Sequence, residues 1–373
     1  MPSLMLLGPH PGNGSVSTWN YFEFLSGRLG ESLPGWAVRS EHPGAGVDGS
    51  GGVRALSPRS RAWADNYVRW PLRLRRMRAD IFHVLDHGLA WYDRFLDRRA
   101  VKIVTVHDLI AYLTWKGELP LPPVPRLRLP ILFESVTQIR RARHLFAVSR
   151  HTADCLVRCL GIPSGRISVV HNWVPPYFRP LDQSERAAER VSLFGPEAEY
   201  VVIHVGKPNP YKNRIGALRA FALLRQRLPG ARLFLVQPMV PEERQLLAEL
   251  GISNFVRFFP PLSPERLRLV YAAADVLVFP SLYEGFGWPP LEAMACGCPV
   301  VSSDRASLAE VVGDAAITID DPHDYSRFAA ALERVLTDPA TAGDLRARGL
   351  ARVTSFTPER ALAAMSSVYE QIC

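Results

Sequence analysis

Short apolar runs recur along this 373-residue chain, each followed by a turn or a helix-like stretch, and that rhythm limits the folds open to it. A continuous apolar run suits a strand covered on both faces, as in a parallel sheet. In the first half such runs occupy 4–7, 81–85 and 102–106, with 145–148 following a helix-like stretch. Around Pro175-Pro176-Tyr177-Phe178-Arg179-Pro180 the alternation stops. A second series covers 200–205, 232–236, 255–258, 276–279, 299–302 and 316–319, with helical stretches such as 215–228 and 242–250 between. Two successive series predict two doubly wound α/β domains, with ligands outside the carboxyl ends of the strands and a cleft between the domains as the expected site. The length agrees, because it exceeds what one core usually organises. The expected domains are 1–180 and 181–357, followed by an amphipathic helix, 358–373, that packs back towards the first domain.

Composition narrows the class. Apolar residues make up 47% and charged residues 21%, ordinary for a soluble protein. No apolar run is long enough to span a bilayer. Residues 1–8 lack a positive n-region and read as a first buried strand, not a signal peptide. Five cysteines, an odd number, point to reduced thiols and a cytoplasmic location. The net charge of +8 is uneven: residues 1–180 hold 24 basic against 13 acidic side chains, and the remainder hold 20 against 23. Arg69, Arg73, Arg75, Arg76 and Arg78 interleave with Trp70, Leu72, Leu74 and Met77, and Arg140, Arg141 and Arg143 form a second group. Such a half suits an anionic membrane surface or a phosphorylated acceptor. A solvated basic face is the plainer alternative.

The chemistry concentrates after the strand 276–279. There the chain reads Glu284-Gly285-Phe286-Gly287-Trp288-Pro289-Pro290-Leu291-Glu292-Ala293-Met294-Ala295-Cys296-Gly297-Cys298-Pro299-Val300. Pro289 and Pro290 suit a helix entrance, where a missing N–H costs nothing. Gly285 and Gly287 free the backbone for close approach to a ligand. Glu292 is expected in the first turn and Glu284 in the loop before it, both facing outward. Backbone N–H groups suit anionic oxygens, and the flanking carboxylates suit polyol hydroxyls. The chain also holds only four lysines, at 102, 116, 207 and 212, against forty arginines. Two of the four fall in Gly206-Lys207-Pro208-Asn209-Pro210-Tyr211-Lys212-Asn213, where a compact ammonium suggests a point charge on phosphate.

The run from Glu284 closely resembles the signature of the family 4 retaining glycosyltransferases of GT-B fold, in which two glutamates stand eight positions apart. The resemblance implies that Glu284 faces the donor sugar and the reaction centre and that Glu292 binds the ribose. It also implies that the Gly285–Trp288 backbone, with Phe286 and Gly287, holds sugar or phosphate oxygens. Lys207 and Lys212 resemble the family's basic pair, which neutralises the donor diphosphate, although the first of that pair is usually arginine. His107, in Thr105-Val106-His107-Asp108, resembles a histidine that contacts the donor sugar. Asn13 and Gly14 loosely match a glycine loop near the diphosphate. His83, Asp86, His87 and Arg150 are expected on the acceptor side, and the proline-rich loop around Pro120–Pro125 is a candidate mobile element there.

There is no Asp-x-Asp, so a metal-bound diphosphate is unsupported and no metal or other cofactor is expected. The expected partners are a nucleotide-diphosphate sugar and a glycan or lipid-linked acceptor, met at the inner membrane face, with no nucleic acid. A nucleotide-sugar epimerase on the same fold and a non-enzymatic two-lobed binding protein are the alternatives. The first would isomerise the sugar without an acceptor, and the second would release no nucleotide whatever acceptor is supplied.

Overall fold

The computed structural model describes residues 1–11, 16–44 and 64–373. It divides into two compact units. One comprises Met1–His171 with Ala361–Cys373, and the other Asn172–Arg360.

The first unit is built on a six-stranded, wholly parallel sheet. Its strands are β1 (Ser3–Leu7), β2 (Ala37–Glu41), β3 (Ile81–Val84), β4 (Val101–Val106), β5 (His144–Ala147) and β6 (Ile167–Val169). They lie in the order β2-β1-β3-β4-β5-β6. The four inner strands are the ones the apolar runs predict, and Leu4, Phe82, Val104 and Leu145 are fully buried in them. The edge strands β2 and β6 escape that reading. Ala37-Val38-Arg39-Ser40-Glu41 and Ile167-Ser168-Val169 are half exposed, so they carry no continuous apolar run. Gly8 ends β1 where Phe22, from the helix Val16–Arg28, presses on the backbone: a Cβ on Gly8 would come within 2.3 Å of the Phe22 ring.

The helix Pro358–Ile372 carries the last residues of this unit. Tyr369 is fully buried, 5.7 Å from the Phe146 ring, and its hydroxyl lies 2.6 Å from His83 Nδ1.

The second unit repeats the plan with β7 (Tyr200–Val205), β8 (Ala231–Val236), β9 (Val256–Phe259), β10 (Val276–Phe279), β11 (Val300–Ser303) and β12 (Ile317–Ile319). All pairs are parallel, in the order β12-β11-β10-β7-β8-β9. Val202, Leu233, Val276, Val278 and Val301 form its core with Phe221, Leu224 and Phe328 from the helices Arg214–Arg227 and Tyr325–Thr337. From β7 the chain winds out to β8 and β9, then returns to β10 and winds the other way. The strand order therefore reverses between β7 and β10, the switch point beside which doubly wound folds place their ligands.

Candidate functional site

The loops after β7 and β10 carry the two sequence motifs, so the switch point of the second unit brings them together. After β7 the chain makes a short turn, Pro210–Lys212, and Asn213 takes a left-handed conformation with φ 49°. Asn213 is buried and binds three ways. Its Oδ1 accepts from Gly216 N at 3.0 Å, capping the helix Arg214–Arg227, while its Nδ2 donates to the carbonyls of Pro280 and Pro322. Leu282 N donates to Tyr211 O at 2.7 Å, so the two loops are stapled along their length.

Lys212 and Glu284 meet in that frame. Lys212 Nζ lies 2.7 Å from Glu284 Oε1, with only 13% and 9% of the two side chains exposed. The Ser281 hydroxyl reaches the same oxygen at 2.7 Å. Ser281 Oγ also lies 3.0 Å from Tyr211 O, but a hydroxyl has one proton and the shorter, charge-assisted bond to the carboxylate takes it. Both contacts fall on Oε1, and among the described residues no partner meets Oε2. Glu284 is thus buried and clamped, where outward-facing carboxylates are expected from sequence. The lysine ammonium also sits 5.1 Å from the Phe279 ring centre and 5.6 Å from that of Tyr211.

The segment after Glu284 is held from behind. The Ser307 hydroxyl lies 2.9 Å from both Glu284 O and Phe286 O, and the Phe286 ring packs edge-on to Phe356. The Phe286 ring is therefore committed to packing. Gly287 stands at φ 102° as the cap of the helix Trp288–Ala295, a conformation that disfavours a side chain, and a Cβ there would come within 2.6 Å of Leu308. Trp288 Nε1 donates to Trp173 O at 3.2 Å, fixing the helix entrance. Pro289 and Pro290 have no N–H, so Gly287 and Trp288 supply the first-turn donors without an intrahelical acceptor.

Because the helix starts at Trp288, Glu292 is its fifth residue and lies just beyond the first turn, one step later than expected. Its half-buried carboxylate accepts from the Tyr271 hydroxyl at 2.9 Å. Burial pushes this carboxyl up to about 7, opposed by the Tyr271 hydrogen bond and the Lys212 charge. Lys207 is exposed, five residues before Lys212.

In the first unit the strand order reverses between β1 and β3. The loop after β1 contains Asn13 and Gly14, which lie outside the described residues, as does most of the Gly/Ser-rich stretch 41–52. After β3 and β4, however, Asp86, His87, His107 and Asp108 converge. His87 lies 3.7 Å from both Asp86 and Asp108, and His107 N donates to His87 Nδ1 at 3.3 Å. His107 Nε2 lies 2.9 Å from the Leu85 carbonyl, which can only accept, so this nitrogen carries the proton and Nδ1 is left as an acceptor. Burial lowers the His107 pKa, with Asp86 opposing and His87 assisting, which favours the neutral ring.

His83 departs from its expected place on the acceptor side. It is wholly buried, 2.6 Å from Tyr369 Oη and 2.8 Å from Thr105 Oγ1, and burial lowers its pKa to about 3. A histidine inside a strand faces the core when its pleat does; only the following Asp86 and His87 reach the strand end. Arg150 is exposed as the first residue of the helix Arg150–Leu160, whose cap is Ser149. Asn213, Ser281, Ser307 and Tyr271 were not legible as site residues, since serine and tyrosine carry no spacing signal. Asn213 alone had one, as an asparagine before a helix.

Comparison with known proteins gives this geometry its family. Residues 185–352 match the model for glycosyl transferases group 1, and residues 33–177 match that for glycosyltransferase family 4. The chain is 31% identical over 325 residues to O-antigen chain mannosyltransferase B of Escherichia coli, covering 85% of this chain and 78% of that one. It is also 31% identical over 264 residues to the serotype-specific mannosyltransferase WbdA of Escherichia coli, covering 68% of this chain but 31% of that protein. It spans about half of the D-inositol 3-phosphate glycosyltransferase of Streptomyces avermitilis, at 34% identity over 244 residues. Among solved structures, sucrose-phosphate synthase from Thermosynechococcus elongatus superposes over all of this chain and 99% of its own, with TM-score 0.78 and 20% identity. Anabaena HepE, solved in complex with UDP-glucose, covers both chains fully with TM-score 0.75 and 15% identity.

The chain belongs to the group 1, family 4 glycosyltransferases. Its fold is the two-sheet α/β arrangement called GT-B.

Proposed function

We propose that this protein transfers a hexosyl unit, mannosyl in the first instance, from a GDP- or UDP-sugar to a hydroxyl of a glycan or lipid-linked acceptor. The observation that carries the reading is the Lys212–Glu284 pair at the switch point between β7 and β10. A fixed cation beside a carboxylate with one open oxygen suits a sugar bonded to a diphosphate: the ammonium meets the phosphate and Oε2 meets a sugar hydroxyl. The mannosyltransferase relatives favour mannose, and the HepE complex with UDP-glucose supports a nucleotide-sugar donor.

In the proposed reaction the bond from the anomeric carbon to the phosphate oxygen breaks, and the acceptor oxygen bonds to that carbon on the same face. The acceptor proton passes to the departing phosphate, so configuration is retained and the nucleoside diphosphate leaves. Lys212, with Lys207 and the N–H groups at Trp288, neutralises the leaving charge without a metal. Glu292, held by Tyr271, takes the ribose, and neutral His107 offers Nδ1 to the donor sugar. Asp86, His87 and Arg150 serve the acceptor. The basic first unit brings the enzyme to the cytoplasmic face of an anionic membrane.

A panel of UDP-, GDP- and dTDP-sugars, scored by thermal stabilisation and then by slow hydrolysis, tests this reading. One nucleotide should stabilise clearly and its sugar should be released; a flat panel would reject the proposal. Turnover abolished by EDTA and restored by a divalent ion would reject its metal-free form.

A further inference from the structure

The first unit presents an apolar surface that its own fold does not cover. Trp115 is 47% exposed at the end of the helix Ile110–Trp115, and its ring packs edge-on to Phe133 at 4.8 Å. Phe133 is 38% exposed on the helix Leu129–Arg141. Directly before that helix comes the turn Arg126–Arg128, whose middle residue, Leu127, is 91% exposed. Trp115 and Phe133 touch across two helices, and Leu127 protrudes from the turn that leads into the second, so three exposed apolar side chains stand on neighbouring elements.

The flanking charge identifies what covers it. Arg126 and Arg128 bracket Leu127, are both exposed, and pair with no carboxylate among the described residues. The basic stretch that stands out in sequence is different. Arg69 is paired with Asp65, Arg73 with Glu41 and Arg78 with Asp97, while Arg75 lies over the Phe95 ring. Its cations are already largely answered within the fold. An apolar tip between two unanswered arginines fits the boundary of an anionic bilayer, with leucine and aromatic rings among the acyl chains and guanidinium groups at the phosphates.

We infer that Trp115, Leu127 and Phe133, with Arg126 and Arg128, form the surface by which this enzyme seats on an anionic lipid bilayer. The inference rests on the proposal that the enzyme works at a membrane, and it moves the contact away from Arg69–Arg78. It also has a geometric consequence. The helix Ile110–Trp115 starts three residues after His107, and its six residues rise about 9 Å. The seated surface therefore holds the His107 cluster within reach of a lipid headgroup.

The test is flotation of the full chain with vesicles of phosphatidylcholine alone and of phosphatidylcholine with phosphatidylglycerol. Wild type should float with the anionic vesicles only. Leu127→Glu with Phe133→Ser, and separately Arg126→Glu with Arg128→Glu, should each weaken binding at least tenfold, since one arginine at such a surface contributes about fivefold. Arg73→Glu with Arg75→Glu should bind nearly as wild type. Donor hydrolysis in solution should stay unchanged in the patch variants; the melting temperature should stay unchanged in the arginine variant, whose altered side chains are exposed, and fall only slightly with Phe133→Ser, which loses the contact with Trp115. Trp115 fluorescence, isolated by difference against Trp115→Phe, should shift to the blue on anionic vesicles. If wild type binds neither vesicle, membrane association itself fails. If it binds but the patch variants bind equally, the membrane reading survives and this surface is wrong. A dimer in sedimentation that Leu127→Glu abolishes, without vesicle binding, would make the patch a contact between copies of the chain.

Discussion

Lys212 and Glu284 hold each other at 2.7 Å in a nearly closed environment, so each is costly to remove alone. Losing one such charge-stabilising group typically lowers turnover a hundred- to a thousandfold. Lys212→Ala and Glu284→Ala should each lose at least about a hundredfold in kcat while keeping a cooperative melt; near-wild-type turnover in both would remove the site. Ser281 makes a subtler prediction. Its hydroxyl fixes one oxygen of Glu284, so Ser281→Ala should lower kcat roughly tenfold, the scale of one hydrogen bond to a charged group, with little change in donor KM. An unchanged kcat would mean that Lys212 alone sets the carboxylate. Glu292 is a pH reporter. Its carboxyl is raised from the ordinary 4.5 to about 7 in the fold, so the folded state keeps a proton that the unfolded chain has lost. Stability from this group is therefore full below 4.5 and falls as pH rises towards 7. Glu292→Gln keeps the acceptor for Tyr271 without that loss. Its melting temperature should gain on wild type progressively between pH 4.5 and 7 and then level off; a gain independent of pH would contradict the raised carboxyl.

At the scale of elements, what could be read in advance depends on burial. The inner strands β1, β3, β4 and β5 and most of the second sheet were visible because both faces are covered and the runs are continuous. The edge strands β2 and β6 have a solvent side and gave no run. The motif after β10 was legible because glycine and proline have positional meaning. The partners that position it were not, because Ser281, Ser307 and Tyr271 act across 3 to 23 residues of chain. His83 shows the converse error: a histidine near a strand end looks functional until the pleat shows which way it faces. Gly287 is where an element depends on a single residue. Gly287→Ala must hold φ 102° and displace Leu308, so we expect a loss of about 1–3 kcal/mol, read as a lower melting temperature of the second unit. An unchanged melt would show that the helix entrance can shift to start elsewhere.

At the scale of the whole molecule, the division into units does not follow the order of the chain. Asn172–Arg360 is continuous, but the first unit is made from both ends. Tyr369 closes it through His83 and Phe146. Removing residues 361–373 should therefore destabilise the first unit selectively: rapid proteolysis within 1–171, with the second unit left intact and still stabilised by donor nucleotide. Uniform resistance to protease would show that the helix adds little. This return of the chain has a consequence in time. A ribosome adding roughly 5–20 residues per second needs about 10–40 s to make the second unit before Tyr369 exists. Throughout that interval the space beside His83 stands open in the nascent protein, and the first part to be synthesised is the last to be finished.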